Sequence, residues 1–518
     1  MTTRHADFCQ PGDVFFDRAP DRDGEDPGEA DFRALAPLPA TGWTAATDGV
    51  WRHLRPAGCV LPDQGWKVHV AGTPATAERV LAETHTWCVA RGITFKHLRS
   101  PRDVLRSNGK YAARESSGKF LTLYPAGDEQ FAEILDGLGA RLDGVPGPYI
   151  LSDLRIGAGP LHVRYGGFRR LDLDDGEKVH PAIRTPSGAL VPDSRRPGFR
   201  LPEWVTPPPV LATHLAARRG TGLPWRITVA VHFSNGGGVY RATTADGAPL
   251  LVKEARPHAG LDARGTDAVA RLRREHAALT ALAGIPGVPA VCGLHEIWEH
   301  LFLARSYVPG TSLNRWLARH YPVAADATPG DLAAYRARAM GVADRLDALV
   351  ALVHARGWVL GDLHPGNVLI DEDDSLALID MELAFEATTD EPPGMAAAGF
   401  GAPPGIHGCA RDEYALAALR LWLLLPLTPM TEIAPAAVEQ HLAYVAHRFT
   451  DCPATTDALR ATLRVPHQPG LAHGARPPRH ARGSAPAPSR SPSPAPIPPR
   501  PTRPSPVPPR PEPGSGLP

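Results

Sequence analysis

Asp362, Asn367 and Asp380 stand in the order acid, amide, acid within "GWVLGDLHPGNVLIDEDDSLALIDMELA" (357–384), among short apolar runs. Phosphoryl transfer needs a carboxylate that orients and deprotonates an acceptor hydroxyl. It also needs further oxygen donors to hold Mg²⁺ against the phosphates. The pattern D-x-x-x-x-N, followed by an apolar strand that ends in Asp380, supplies both.

Such chemistry also needs a seat for a polyphosphate. "WRITVAVHFSNGGGVYRATTADGAPLLVKEARP" reads as three strands, over 227–232, 239–243 and 250–254. Asn235-Gly236-Gly237-Gly238 joins the first two. Backbone N–H groups of such a turn can approach phosphate, although a glycine turn taken alone is only a turn. Lys253 lies in the otherwise apolar "LLVK", where a lysine demands a partner or a ligand. The segment "DAVARLRREHAALTALAG" has helical spacing of Val269, Leu272, Leu279 and Leu282. It carries Glu275, which is either a solvated glutamate or the partner of Lys253. A helix over 331–356 and the strand "WVL" then deliver the chain to "GDLHPGN".

Together these residues resemble the protein-kinase-like superfamily over 225–465. The resemblance implies that Gly236, Gly237 and Gly238 cover the phosphates of ATP (or GTP), and that Lys253 contacts them and pairs with Glu275. It makes 306–310 the hinge, Asp362 the catalytic base, and Asn367 and Asp380 the Mg²⁺ ligands. Asp412, in "RDEYALAAL", would brace the catalytic loop. Two departures stand out. Leu360-Gly361-Asp362 replaces H-R-D, so no arginine there can read a phosphorylated activation loop, and Asp380-Met381-Glu382 replaces D-F-G. The resemblance fixes the reaction and leaves the acceptor open.

The first 200 residues carry a second set. "GWKVHVAG" alternates, with Trp66, Val68 and Val70 on one side of a strand and Lys67 and His69 on the other. A helix follows with Thr73 as N-cap, burying Val80, Leu81, Thr84, Trp87 and Cys88. "ITFKHL" projects Lys96. "YAARESSGKFLTLYP" sets Arg114, Ser116, Ser117, Gly118 and Lys119 around a turn, a helix spans 128–142, and "GPYILSDLRIGAGPLHVRYGGF" adds Asp153, Arg155, Arg164 and Tyr165. Singly, each cation reads as a solvated surface residue. Gathered on one face, they would hold a phosphate dianion by charge-assisted hydrogen bonds and lower one another's pKa. A neutral lysine could then take the α-proton of a phosphoserine or phosphothreonine while a protonated histidine assists departure of the phosphate.

These segments, and their order ahead of a kinase, resemble class III and IV lanthipeptide synthetases, which open with a phosphothreonine-lyase-like domain. The resemblance implies that Lys96 is the general base and His69 the general acid. Lys67, Arg114, Lys119 and Arg155 would bind phosphate, and Asp153 would orient a catalytic cation. The expected architecture is α+β and multidomain. A phosphothreonine-lyase-like α+β domain (1–200) leads through a linker (201–224) to a bilobal protein-kinase-like domain (225–465) and a disordered, Pro-rich tail (466–518). The expected activity is dehydration of Ser and Thr in a ribosomal precursor peptide, recognised through its leader. The Pro-rich tail stands where such synthetases continue into a LanC-like cyclase, which leaves three expectations open: cyclisation by a separate cyclase partner, no cyclisation, or a truncated or frame-shifted gene product. Two other readings stay open: a small-molecule phosphotransferase whose first domain only recruits substrate, and a non-catalytic scaffold that binds a leader peptide.

Composition sets the outer bounds. The 518 residues carry a formal net charge of +0, which gives no global field for nucleic acid or an anionic membrane. The longest greasy run, over 414–427, is too short to span a bilayer, and the N-terminus lacks a signal pattern. The six cysteines include no C-x-x-C pair, as expected of reduced thiols in a cytoplasmic protein.

Overall fold

The computed structural model describes residues 31–32, 41–216, 222–322, 327–389, 395–433, 437–449 and 453–463. Those before position 466 form one compact unit; the Pro-rich segment 466–518 lies outside the described residues. The architecture is mixed α and β, with several sheets and two large apolar cores, one in each half of this unit.

The N-terminal half is built on seven antiparallel strands. They are β1 (Trp43–Asp48), β2 (Trp51–Pro56), β3 (Gln64–Val70), β4 (Thr94–Leu98), β5 (Leu121–Tyr124), β6 (Leu154–Arg155) and β7 (Leu161–Gly167). Their order across the sheet is β1-β2-β4-β5-β3-β7-β6. The alternation read in β3 holds: Trp66, Val68 and Val70 enter the core with Phe95, Leu121, Leu123 and Val163. α1 (Ala77–Ala90) buries Val80, Leu81, Thr84, Trp87 and Cys88 against the same core. Its N-cap is Thr76 rather than Thr73. The two threonines first close a turn on each other, Thr73 N donating to Thr76 Oγ1 (3.0 Å) and Thr76 N to Thr73 Oγ1 (3.1 Å). Such local side-chain bonds compete with helix initiation.

α2 (Pro101–Ser107) is capped by Ser100 and ends at Asn108. α3 (Asp128–Glu133) continues through a π turn, Ile134–Leu138, into α4 (Gly139–Arg141), nearly the span read as a single helix. A small sheet follows, in the order β10-β9-β8: β8 (Asp172–Asp174), β9 (Val179–Arg184) and β10 (Leu190–Pro192). The stretch read as a linker is partly core. Leu211, just before α5 (Ala212–Ala216), is buried with the N-terminal apolar residues, and Leu201, Val205, Val210 and Leu215 pack against them.

The C-terminal half opens with an antiparallel sheet of β11 (Arg226–Ser234), β12 (Gly237–Thr243), β13 (Pro249–Ala255), β14 (Val291–Ile297) and β15 (His300–Ser306), ordered β11-β12-β13-β15-β14. α6 (Ala268–Ala281) packs on it and contributes Leu272 and Leu279 to the larger core. Next come β16 (Thr311–Ser312), α7 (Leu313–His320) and α8 (Pro329–Ala355), the last held by a Thr328/Asp331 capping box. β17 (Trp358–Val359), β18 (Val368–Ile370), β19 (Leu376–Leu378) and β20 (Phe385–Glu386) form two short pairings around the acidic loop. α9 (Ala410–Leu424), α10 (Met430–Ile433), α11 (Ala437–Arg448) and α12 (Pro453–Leu463) close the half, and α9 lies against both α8 and α12. Among the described residues, no helix is long and apolar enough to cross a membrane.

Candidate active sites

In the C-terminal half, β13 and α6 place one ion pair. Strand alternation sends Leu250 and Val252 to one face of the sheet and Lys253 to the other, toward α6. Lys253 Nζ lies 2.7 Å from Glu275 Oε2 and 3.0 Å from Asp380 Oδ1. Burial opposes charging Lys253, but Asp380 and Glu275 outweigh it and keep the amine protonated.

The hairpin of β18 and β19 assembles the rest. Val368 pairs with Leu378, which sets Asn367 opposite Ile379 and next to Asp380; Ile379 N donates to Asn367 O at 3.0 Å. Asn367 Nδ2 donates to Asp362 O at 3.0 Å, leaving its Oδ1 for a ligand. Asp412 braces the loop from α9, accepting from Leu360 N (2.7 Å), Gly361 N (3.0 Å) and His354 Nε2 (2.9 Å). Gly361 has φ +75°, and a Cβ there would stand 2.7 Å from Leu383 O, so this position needs glycine. His364 holds the loop's own turn: its Nδ1 accepts from Gly366 N at 3.1 Å.

Burial and the neighbouring Asp380 charge push the Asp362 carboxyl up to about 7. The Asn367 amide oxygen and the Asp380 carboxylate are hard oxygen donors of the kind that suits Mg²⁺. Above them lies a cavity of about 190 Å³, lined by Gly236, Gly237, Gly238, Lys253, Glu275 and Asp380, with Lys110, Arg271 and Glu382 completing its charged wall.

The second candidate site lies on the polar face of the N-terminal sheet. The strand register puts His53, Lys96, Thr122, His69 and His162 in one row across β2, β4, β5, β3 and β7. The next row on that face holds Thr94, Tyr124, Lys67 and Arg164. Cross-strand neighbours project to the same side, so the register alone brings Lys96, His69 and Lys67 together. His69 Nδ1 is 2.5 Å from Asp153 Oδ2, and Asp153, fully buried, also accepts from Ser152 Oγ at 2.7 Å. Arg164 pairs with Asp193, and Lys119 Nζ donates to Glu115 O at 2.6 Å.

The electrostatics follow from crowding in a dry site. Burial first, and then Arg164, pulls Lys67 down to about 7. Burial and Arg195 bring Lys96 to about 8, with its Nζ 4.2 Å from the centre of the Trp51 ring. Burial does the same to Lys119, to about 8, aided by Arg164 and Arg195. For His69 burial favours the neutral imidazole, while burial of Asp153 is outweighed by His69 and Lys119, so its carboxyl lies well below the usual carboxylate range. Burial thus favours the neutral imidazole, which in the tautomer with the proton on Nδ1 would donate to the Asp153 carboxylate.

The two remaining sequence candidates point elsewhere. The Arg114 guanidinium lies 4.6 Å from the centre of the Phe233 ring of β11, and Arg155 pairs with Glu299 between β14 and β15. Both contacts aim at the C-terminal half rather than at the lysines. Reading the sequence missed Asp193 and Arg195, because they sit in a Pro- and Arg-rich stretch that resembles a boundary. It also missed Lys110, which no strand or helix period marks.

Residues 31–221 match the family described as RamC, N-terminal domain, and residues 315–387 match the Phosphotransferase enzyme family. The chain is 46% identical over 449 residues to the "Probable SapB synthase" of Streptomyces coelicolor (strain ATCC BAA-471 / A3(2) / M145). That similarity covers 85% of this chain and 47% of the relative, so the chain spans about half of the relative's length.

Proposed function

We propose that the chain is a lanthipeptide-type dehydratase that works in two steps on a ribosomal precursor peptide. In the first, Asp362 accepts the proton of a Ser or Thr hydroxyl while the oxygen attacks the terminal phosphorus of ATP or GTP, and the nucleoside diphosphate departs. Asn367 and Asp380 would hold Mg²⁺, which supplies charge neutralisation to the phosphates. Lys253, fixed by Glu275, orients the nucleotide, and Asp412 keeps the loop of Asp362 in place.

In the second step the phosphorylated side chain enters the cationic face of the N-terminal sheet. Lys67, Lys119 and Arg164 bind the phosphate dianion. Neutral Lys96 removes the α-proton, the electron pair forms the Cα–Cβ double bond, and the Cβ–O bond breaks to release inorganic phosphate. The incoming dianion raises the proton affinity of His69, so its Nε2 takes up a proton from solvent and then delivers it to the leaving oxygen. The product is dehydroalanine from Ser or dehydrobutyrine from Thr.

One observation carries this reading: three lysines brought to about 7, 8 and 8 surround a buried His69–Asp153 pair on the same chain as the Lys253–Glu275–Asp380 set. A recruiting surface needs cations and gains nothing from lysines whose charge burial disfavours. The likeness to a SapB synthase supports a peptide as acceptor. Mass spectrometry of a Ser/Thr-rich precursor peptide encoded beside this gene, incubated with the protein, nucleotide and Mg²⁺, tests it. The native chain should give loss of water. Lys96→Ala should accumulate phosphopeptide, with elimination slowed roughly 10²- to 10⁴-fold. Stable phosphopeptide from both would refute the second step.

A further inference from the structure

Lys110 follows α2 in the N-terminal half, yet its side chain lines the cavity beneath the glycine turn of the C-terminal half. Its backbone is fixed there from both sides. Lys110 N donates to Leu261 O (3.0 Å), Leu261 N donates to Asn108 O (2.9 Å), and Asn235 N of the glycine turn donates to Lys110 O (3.3 Å). Asn235 Nδ2 adds a bond to Gly109 O at 2.9 Å. With its main chain pinned to the turn, the ammonium reaches Glu382 Oε1 at 2.5 Å, two residues beyond Asp380.

The other cations of this wall are already engaged. Lys253 is taken by Glu275 and Asp380. Buried Arg271 donates to Thr266 O, Gly260 O and the second oxygen of Glu382. An ammonium has three donors, and Glu382 is the one hydrogen-bond partner of Lys110 Nζ among the described residues. The side chain keeps 25% of its exposure, on the cavity. We propose that Lys110 is a phosphate-contacting residue of the phosphotransferase site, lent by the N-terminal half, which binds the β- or γ-phosphate of the nucleotide. Glu382, standing where the related kinases have glycine, holds that ammonium in place before the nucleotide arrives. The inference rests on the reading of this site as a phosphotransferase. Its consequence is that nucleotide binding requires both halves of the chain.

Calorimetric titration of the full chain, with Mg²⁺ and either a non-hydrolysable adenosine triphosphate analogue or the monophosphate, tests this; the guanosine pair serves if adenosine does not bind. Lys110→Met should weaken the triphosphate by about 10- to 100-fold and leave the monophosphate unchanged. Lys110→Arg should recover part of the loss. The double variant Lys110→Met/Glu382→Gln should remain as weak as Lys110→Met. Recovery in the double variant would mean that Lys110 only masks Glu382 and would overturn the inference. So would an equal weakening of both nucleotides with a lowered melting temperature, the mark of a purely structural staple. If the native chain binds triphosphate, Asp380→Asn abolishes that binding and Lys110→Met does not change it, this inference fails alone. If the native chain binds no triphosphate, the phosphotransferase reading fails with it.

Discussion

Each lysine of the N-terminal sheet faces opposed demands. Burial disfavours its charge, while a phosphate dianion would restore it. Lys96 is the one whose proposed role depends on losing the proton, and burial with Arg195 brings it to about 8. Elimination from a phosphopeptide should therefore rise with pH through about 8 and level off above, since a lysine with a lowered pKa is a base only above that pKa. A flat rate between neutral and alkaline pH in phosphate-release assays would remove Lys96 as base. The alternation of Lys67 and His69 was legible because a strand has a period of two residues. The destinations of Arg114 and Arg155 were not, because a charge near a strand end carries no sign of which neighbour it will meet. Asp153 was named for orienting a cation, and it bonds to His69 at 2.5 Å.

At the scale of elements, the glycine turn is the most constrained piece. Gly237 has φ +152°, and a Cβ there would stand 1.9 Å from Glu254 O, just beyond the Val239–Lys253 pair that begins the ladder of β12 with β13. Gly237→Ala must bend the backbone or break the ladder. It should cost about 3 kcal/mol of stability by analogy with other overpacked and strained sites, and it should weaken nucleotide binding. Thermal unfolding and nucleotide titration of the variant would check both, and unchanged values would show that the turn tolerates a side chain. Hairpin and helix spans in this half were readable from turn glycines and apolar spacing. The start of α1 was misplaced by one turn, since Thr73 and Thr76 satisfy each other and the helix begins only at Ala77. The stretch 201–224 resembles a linker by composition, yet Leu211 within it is buried in the core. Proline content reports how a chain is stiffened, not whether it packs.

The whole molecule sets two candidate sites on one chain, with contacts that tie the halves together. Arg155 pairs with Glu299, Arg256 donates to Tyr149 O at 2.5 Å, and the segment 108–110 grips the glycine turn. These long-range contacts lie beyond any pattern of spacing, which is why the sequence outlined both sites and left Lys110 unassigned. On the proposed function, the N-terminal sheet removes what Asp362 helps to install. The direct test is release of inorganic phosphate from a synthetic phosphoserine peptide of the precursor, without nucleotide, by the native chain, Asp362→Asn and Lys96→Ala. Full release is expected from the native chain and from Asp362→Asn, and none above background from Lys96→Ala. Release that survives in Lys96→Ala, or that vanishes in Asp362→Asn, would contradict it.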